Sequence, residues 1–117
     1  MRNFREYIVY QQSMQLCIDV YKACKLFPSD ERFALANQLE RAAVSISSNI
    51  SEGSSRSSDT DFAHFLEISL GSAFEVETQL TIALKLQYID IDTYNSLIAQ
   101  IDVIEKGLGK FIGILRK

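Results

Sequence analysis

Residues 38–56 carry the sequence QLERAAVSISSNISEGSSR, which contains few large apolar side chains. Its four large aliphatic residues, Leu39, Val44, Ile46 and Ile50, are surrounded mainly by alanine, serine and glycine. Helices pack closer together where the side chains between them are small. We therefore interpret this stretch as the central helix of a bundle, approached closely by two other helices.

The residues around this stretch extend it into a predicted helix of about residues 30–52. A bundle seam, with its alternating spacing of four and three, falls at Leu35, Leu39, Ala42, Ile46 and Asn49. Pro28 ends the preceding helix, because its ring cannot continue the helical hydrogen-bond ladder. Ser29 is placed to cap the new helix, and Gly53 is placed to close it in the left-handed conformation.

The same periodicity predicts three further helices, at about residues 4–26, 58–86 and 91–116. The seam of the third helix falls at Phe62, Leu66, Ser69, Ala73, Val76, Leu80 and Ala83. Ser57 or Ser58 can cap this helix, and Asp90 or Asp92 can cap the fourth. Gly71, in the middle of the third helix, costs about 1 kcal/mol relative to alanine, so we expect a close helix contact there.

Four helices with short connections predict an all-α fold, an up-down-up-down antiparallel four-helix bundle in one domain of residues 1–117. The composition is 47% hydrophobic and 23% charged, which excludes a disordered chain. No apolar run reaches the ~18 residues of a membrane span, so we expect no membrane partner.

Two cysteines indicate the compartment. Cys17 and Cys24 are separated by two helical turns, about 10 Å between Cα atoms, which is too far for a disulfide. Residues 1–6 are a mixed polar run and lack the apolar core of a signal peptide. Free thiols without a signal peptide predict a cytoplasmic protein.

The residue patterns of known catalytic and metal sites are missing from the sequence. His64 is the only histidine, and the paired Glu-x-x-His segments of a di-metal bundle are absent. The nucleophile-elbow, P-loop and dinucleotide-binding fingerprints are absent too. We therefore expect no enzyme activity, no cofactor and no metal, and we interpret His64 as a surface or interface side chain.

Glu75 lies on a stripe of the third helix that flanks the seam, and three interpretations of this residue are open. The first is a solvated surface residue. The second is an ion pair with Arg41 or Arg56, within the chain or across a subunit contact. The third is a catalytic acid.

Asn49 lies in a predicted buried seam, where an amide without hydrogen-bond partners destabilises the fold. Ser45, Ser69 or Ser72 could form a hydrogen bond with this amide across the bundle and so fix the helix register. A ligand-binding role for Asn49 is the alternative.

Basic residues collect near both chain termini, and these share one end of an up-down-up-down bundle. The candidate nucleic-acid contacts are Arg2, Arg5, Lys106, Lys110, Arg116 and Lys117. Simple complementation of the last helix dipole explains the C-terminal ones equally well. The net charge of −3 argues against nucleic-acid binding, because such proteins usually carry excess lysine and arginine.

Several segments resemble a known family. They are Phe27-Pro28-x-x-Glu31-Arg32-Phe33, Gln38-Leu39-x-Arg41-Ala42-Ala43-x-Ser45-Ile46-x-x-Asn49-Ile50-x-Glu52-Gly53, Arg56, and Phe65-Leu66-x-Ile68-x-x-Gly71-Ser72-x-x-Glu75-x-Glu77-Thr78. The chain resembles the bacterial four-helix bundle family named after proteins encoded in intervening sequences of 23S ribosomal RNA genes. Related to that family are the strongly basic accessory variability proteins of diversity-generating retroelements, which associate with a reverse transcriptase.

The resemblance implies a ring-shaped homopentamer without known enzymatic activity. It implies packing or assembly roles for Arg41, Ser45, Asn49, Glu52, Gly53, Arg56, Gly71, Ser72 and Glu75. Our leading hypothesis is a non-enzymatic homo-oligomer that acts as an interaction or scaffold module, with an RNA- or DNA-binding accessory protein as the alternative. The internal seam does not use the face that carries Arg41, Ser45, Glu52 and Arg56. We therefore expect a neighbouring subunit there.

Overall fold

The computed structural model describes residues 2–117, and it contains four α-helices and no strand within that range. The helices are α1 (Ile8–Cys24), α2 (Leu35–Ser54), α3 (Asp59–Lys85) and α4 (Ile91–Leu115). Short 3-10 helices at Phe4–Glu6 and Ser29–Glu31 precede α1 and α2. The predicted all-α four-helix bundle is confirmed.

The helices form a closed ring in which each packs against its neighbours along the chain and α4 packs against α1. At one end the Tyr7 ring lies 5.0 Å from Phe111 and 6.1 Å from Phe62, centroid to centroid. At the other end Phe27 meets Tyr88 at 5.4 Å. The starts of α1 and α3 therefore share one end with the terminus of α4, as the antiparallel arrangement requires.

The core follows the predicted seams closely. Every seam residue predicted for α3 is buried, as are Leu39, Ala42 and Ile46 of α2. Leu35 and Asn49, at the ends of the α2 seam, are only half-buried. None of the described helices is long and apolar enough to cross a membrane.

The starts of the first two helices differ from the prediction. Tyr7 is extended and separates the first 3-10 helix from α1. Ser29 does not cap a long second helix, because a 3-10 helix begins there and α2 starts only at Leu35. The Tyr88 hydroxyl donates a 2.6 Å hydrogen bond to the Glu31 carboxylate and ties this irregular segment to the α3–α4 connection.

Two glycines have roles different from those predicted. Gly53 does not close α2 in a left-handed conformation; it is helical and buried, and α2 continues to Ser54. A Cβ atom on Gly53 would lie 2.5 Å from Phe65 Cβ, so the close approach of α3 occurs here. Gly71 is exposed, and a Cβ there would meet nothing within 4 Å, so the predicted close contact within the chain is wrong.

The predicted caps of the last two helices are confirmed. The Ser58 hydroxyl accepts the Asp61 N–H, and the Asp90 carboxylate accepts the Thr93 N–H. Between these helices Gln87 takes a positive φ of 64°, a conformation usually left to glycine.

Candidate functional site

A polar groove lies between α2 and α3, where the family-like segments meet. It has a volume of about 320 Å³ and is lined by Asn37, Gln38, Arg41, Ala42, Ser45 and Glu75. We call it the α2–α3 groove. Three candidate residues from the sequence, Arg41, Ser45 and Glu75, are therefore brought together around one concavity.

The two charged residues of the α2–α3 groove are both exposed and form no ion pair within residues 2–117. The Glu75 carboxylate accepts a 3.3 Å hydrogen bond from the amide of Gln79. One of the three interpretations, a pairing of Glu75 with Arg41 or Arg56 inside the chain, is therefore not realised within residues 2–117. The Arg41 guanidinium and the Glu75 carboxylate thus line one groove without forming an ion pair in residues 2–117.

The serine and asparagine side chains form a hydrogen-bond network that links α2 to α3. Asn49 Nδ2 donates to the Ser45 carbonyl at 2.8 Å and to Ser45 Oγ at 2.9 Å. Ser72 Oγ of α3 donates to the same Ser45 hydroxyl at 2.9 Å. Ser45 is thus the hydrogen-bond partner of Asn49 and lies on the same helix. Ser72 is linked to Asn49 through Ser45. Ser69 donates instead to the Ile46 carbonyl.

Gln79 forms the inner support of the α2–α3 groove. Its side chain is only 6% exposed, and its Nε2 donates to Glu75 and, at 3.5 Å, to Gln38. Its buried Oε1 has no hydrogen-bond partner in the part of the chain described. This role of Gln79 was not predicted from the sequence, because its partners come from two helices.

The remaining candidate residues lie on the same two helices, except Arg56, which lies in the connection between them. The Arg56 guanidinium stands over the Phe65 ring at 5.2 Å, Glu52 is exposed, and Gly53 is buried beneath Phe65. Gly71 lies exposed on the outer surface of α3. Glu52 and Arg56 therefore belong to the outer surface, whereas Gly53 acts inside the bundle.

The histidine and the two cysteines lie outside the lining of the α2–α3 groove. The exposed His64 has its Nδ1 4.0 Å from Glu67, on the solvent side of α3. Across residues 2–117, no three His, Cys, Asp or Glu side chains are arranged to hold a metal ion. Burial, and then the Glu40 charge, raise the pKa of the Cys24 thiol to about 12, so this thiol is unreactive.

The six candidate nucleic-acid contacts are interleaved with carboxylates. Arg2 pairs with Asp59 at 2.6 Å, Lys106 pairs with Asp102 at 2.9 Å, and Arg116 pairs with Glu67. Arg5 lies over the Phe4 ring at 4.5 Å, and Arg5, Lys110 and Lys117 have no carboxylate within 4 Å in residues 2–117. Half of the expected positive patch is thus neutralised inside the chain.

A carboxyl pair between α3 and α4 was not predicted from the sequence. Burial raises the pKa of Glu105 to about 7, and the neighbouring Glu77 and Asp102 add to the effect. Among residues 2–117 the buried Glu105 Oε2 atom has no hydrogen-bond partner. When it is protonated, Glu105 can donate a hydrogen bond to Glu77. Nothing in the separate helix patterns of α3 and α4 indicates that these two carboxyls meet.

Comparison with known proteins places this geometry in a family. A crystal structure described as a protein with unknown function from the S23 ribosomal protein family, from Bacteroides thetaiotaomicron VPI-5482, is similar, with a TM-score of 0.81. The two chains are 26% identical, over 94% of this chain and 100% of the other. No curated protein matches. The family model described as 23S rRNA-intervening sequence protein matches residues 5–110. The chain therefore belongs to the family of 23S rRNA-intervening sequence proteins.

Proposed function

We propose that the protein is a non-enzymatic homo-oligomer, a ring of five copies, that acts as an interaction or scaffold module in the cytoplasm. One observation carries the proposal: two helices expose apolar stripes that the four-helix core does not use. The family resemblance supplies the number five.

The first exposed stripe, here called the α1 stripe, consists of Met14, Ile18 and Tyr21. These side chains are 42%, 47% and 43% exposed, and their spacing of four and three is that of a bundle seam. The stripe borders α2, since Tyr21 and Glu40 line the same concavity. Such a stripe is suited to packing against another helix.

The second, the α3 stripe, consists of Ile68, Gly71, Glu75 and Ile82. Ile68 and Ile82 are each 42% exposed, and Glu75 lines the α2–α3 groove. Both stripes therefore flank α2, one on each side. Two different contact surfaces on one subunit give a head-to-tail interface, which closes into a ring when the rotation between copies allows it.

Light scattering and sedimentation of the purified protein test this proposal. At micromolar concentration we expect a mass of about 67 kDa, five times the 13.3 kDa of the chain. Ile18→Lys and Ile68→Lys should each shift the protein towards monomer, because burying an unpaired charge opposes association. Val103→Lys, at an exposed apolar residue of α4, serves as the matched control and should keep the wild-type mass. A monomeric wild-type protein would overturn the proposal.

Nucleic-acid binding is the second proposal, and it rests on Arg5, Lys110 and Lys117, the candidate cations that have no carboxylate within 4 Å among residues 2–117. A ring would repeat these cations in every copy and so multiply the phosphate contacts available. Fluorescence anisotropy with RNA and DNA over a salt series tests it, since phosphate contacts weaken steeply as salt rises. Absence of binding at low salt counts against it.

A further inference from the structure

We propose that Arg41 of one copy forms an ion pair with Glu75 of a neighbouring copy at the α2–α3 groove. This inference rests on the proposed function, because it needs an assembly of this chain. It identifies which polar groups join the copies and which chemistry the groove recognises.

The charges of the α2–α3 groove are complementary and unused. Arg41 is the only cation and Glu75 the only carboxylate among its lining residues. Both side chains are exposed, and within residues 2–117 neither comes within 4 Å of an opposite charge. Each copy therefore offers both halves of a pair that it does not close by itself.

The wall around Glu75 holds its acceptors in place. The Asn49, Ser45 and Ser72 network joins α2 to α3, and the Gln79 amide donates to Glu75. Side chains fixed in this way lose little further entropy when a partner binds.

The acceptor atoms next to Glu75 favour a guanidinium as the incoming group. The Glu75 carboxylate and the Gln38 Oε1 both accept from Gln79, and the Gln79 Oε1 lies buried behind them without a donor in residues 2–117. A guanidinium is planar and carries five N–H donors, so it can pair with the carboxylate in a bidentate manner and still reach a neighbouring carbonyl.

The partner that fits is a second copy, because charge complementarity is already built into the groove of every copy. In the proposed ring α2 is flanked on both sides by contact stripes, so Arg41 on α2 faces the next subunit. Glu75 belongs to the α3 stripe, so an α2 helix that packs against the α3 stripe of the next copy brings its Arg41 to Glu75. An ion pair enclosed by the stripes would be shielded from water and salt more than an exposed one.

Charge reversal and mixing test the pair directly. Arg41→Glu places two acids at the contact, and Glu75→Arg places two bases there, so each variant alone should assemble on the order of tenfold or more weakly than wild type. An equimolar mixture of the two variants should recover much of the assembly, because the acid introduced into one variant then meets the base introduced into the other. Recovery in the mixture requires a contact between copies, since a pair within one chain cannot be repaired by mixing.

Controls separate this inference from the proposed function and from misfolding. Lys110→Glu reverses an exposed cation of α4, a helix that carries neither stripe, and should assemble like wild type. Circular dichroism melts confirm that the variants fold. Arg41→Gln and Glu75→Gln form a milder set: each alone should weaken assembly, and their mixture should recover only at contacts where the intact Arg41 of one variant meets the intact Glu75 of the other. A monomeric wild type would overturn the proposed function. An oligomeric wild type whose variants assemble normally, or whose charge-reversed mixture fails to recover, would overturn the pair alone.

Discussion

Gly53 shows how one missing Cβ atom sets the distance between two helices. The glycine lies in the last turn of α2, against the Phe65 Cβ atom and the Phe62 ring of α3. A Cβ would stand 2.5 Å from Phe65 Cβ and 3.0 Å from Phe62 Cδ1. Phe65 Cβ is attached directly to the backbone of α3, so only a shift of the helix can relieve the clash.

Gly53→Ala should therefore destabilise the protein. Overpacking costs about 1–3 kcal/mol, and the better helix propensity of alanine returns up to about 1 kcal/mol. Gly109→Ala is the matched control, because a Cβ there meets nothing within 4 Å and the helix should gain up to about 1 kcal/mol. Urea unfolding at one fixed protein concentration measures both, and a Gly53→Ala protein as stable as wild type would contradict the steric explanation.

The sequence indicates that residues 38–56 pack closely, but it does not show which glycine meets which helix. Gly53 was expected to end α2 and Gly71 to form the contact, yet the structure places the contact at Gly53. Helix propensity gives the free-energy cost of a glycine in a helix, but it does not identify the neighbouring residue that requires a glycine there. The sequence predicted a serine as the hydrogen-bond partner of Asn49. The link from Asn49 through Ser45 depends on side-chain rotamers, which residue spacing does not determine.

The α3–α4 connection depends on a residue in an unfavourable backbone conformation. Gln87 has φ 64°, its N–H donates to the Leu84 carbonyl, and the Tyr88 N–H donates to the Ala83 carbonyl. This hydrogen-bond pattern is the Schellman motif, in which glycine is the usual left-handed residue. A side chain in that conformation costs roughly 1–2 kcal/mol.

Gln87→Gly should therefore stabilise the protein by about 1 kcal/mol, and the unfolding midpoint should rise. Gln87→Ala keeps the Cβ atom and its conformational cost, so its midpoint should stay near that of wild type. Thermal melts of the three proteins at equal concentration decide the matter. A glycine variant that melts below the alanine variant would show that the Gln87 side chain contributes more than its backbone conformation costs.

Helix ends were predictable where local chemistry sets them and unpredictable where a distant contact does. Ser58 and Asp90 cap their helices through hydrogen bonds within the first turn, which residue type and spacing indicate. The start of α2 moves to Leu35 while Glu31 is tied to Tyr88 from the far end of α3. That hydrogen bond spans 57 positions along the chain, beyond any local pattern.

At the scale of the whole molecule, periodicity predicted the four helices and their order, because core residues recur at seam spacing in each. The polar face of α2 was predictable from the residues that the seam left unused. The α2–α3 groove itself was not, because it needs the relative rotation of two helices to bring Arg41 and Glu75 to one concavity. The Glu77 and Glu105 pair likewise exists only after α3 and α4 dock.

This carboxyl pair makes the stability of the bundle depend on pH near neutrality. The folded-state pKa of Glu105 is about 7, above its ordinary value of 4.5, chiefly because the group is buried and secondly because Glu77 is near. Between these two pH values the folded state holds a proton that the unfolded state has lost. The stabilisation is therefore complete below about pH 4.5 and is lost as the pH rises through 7.

Glu105→Gln should remove most of this dependence, because the amide keeps a donor for Glu77 and does not titrate. We expect wild type to lose about 1 kcal/mol of unfolding free energy between about pH 5 and pH 8, less than the full shift implies because the side chain is partly exposed. The variant should be more stable than wild type at the higher pH and nearly equal to it at the lower one. Glu6→Gln, at an exposed carboxylate near the N-terminus, should retain the wild-type pH profile. Urea unfolding at the two pH values measures all three proteins, and parallel profiles for wild type and Glu105→Gln would rule out the carboxyl pair as the source of the dependence.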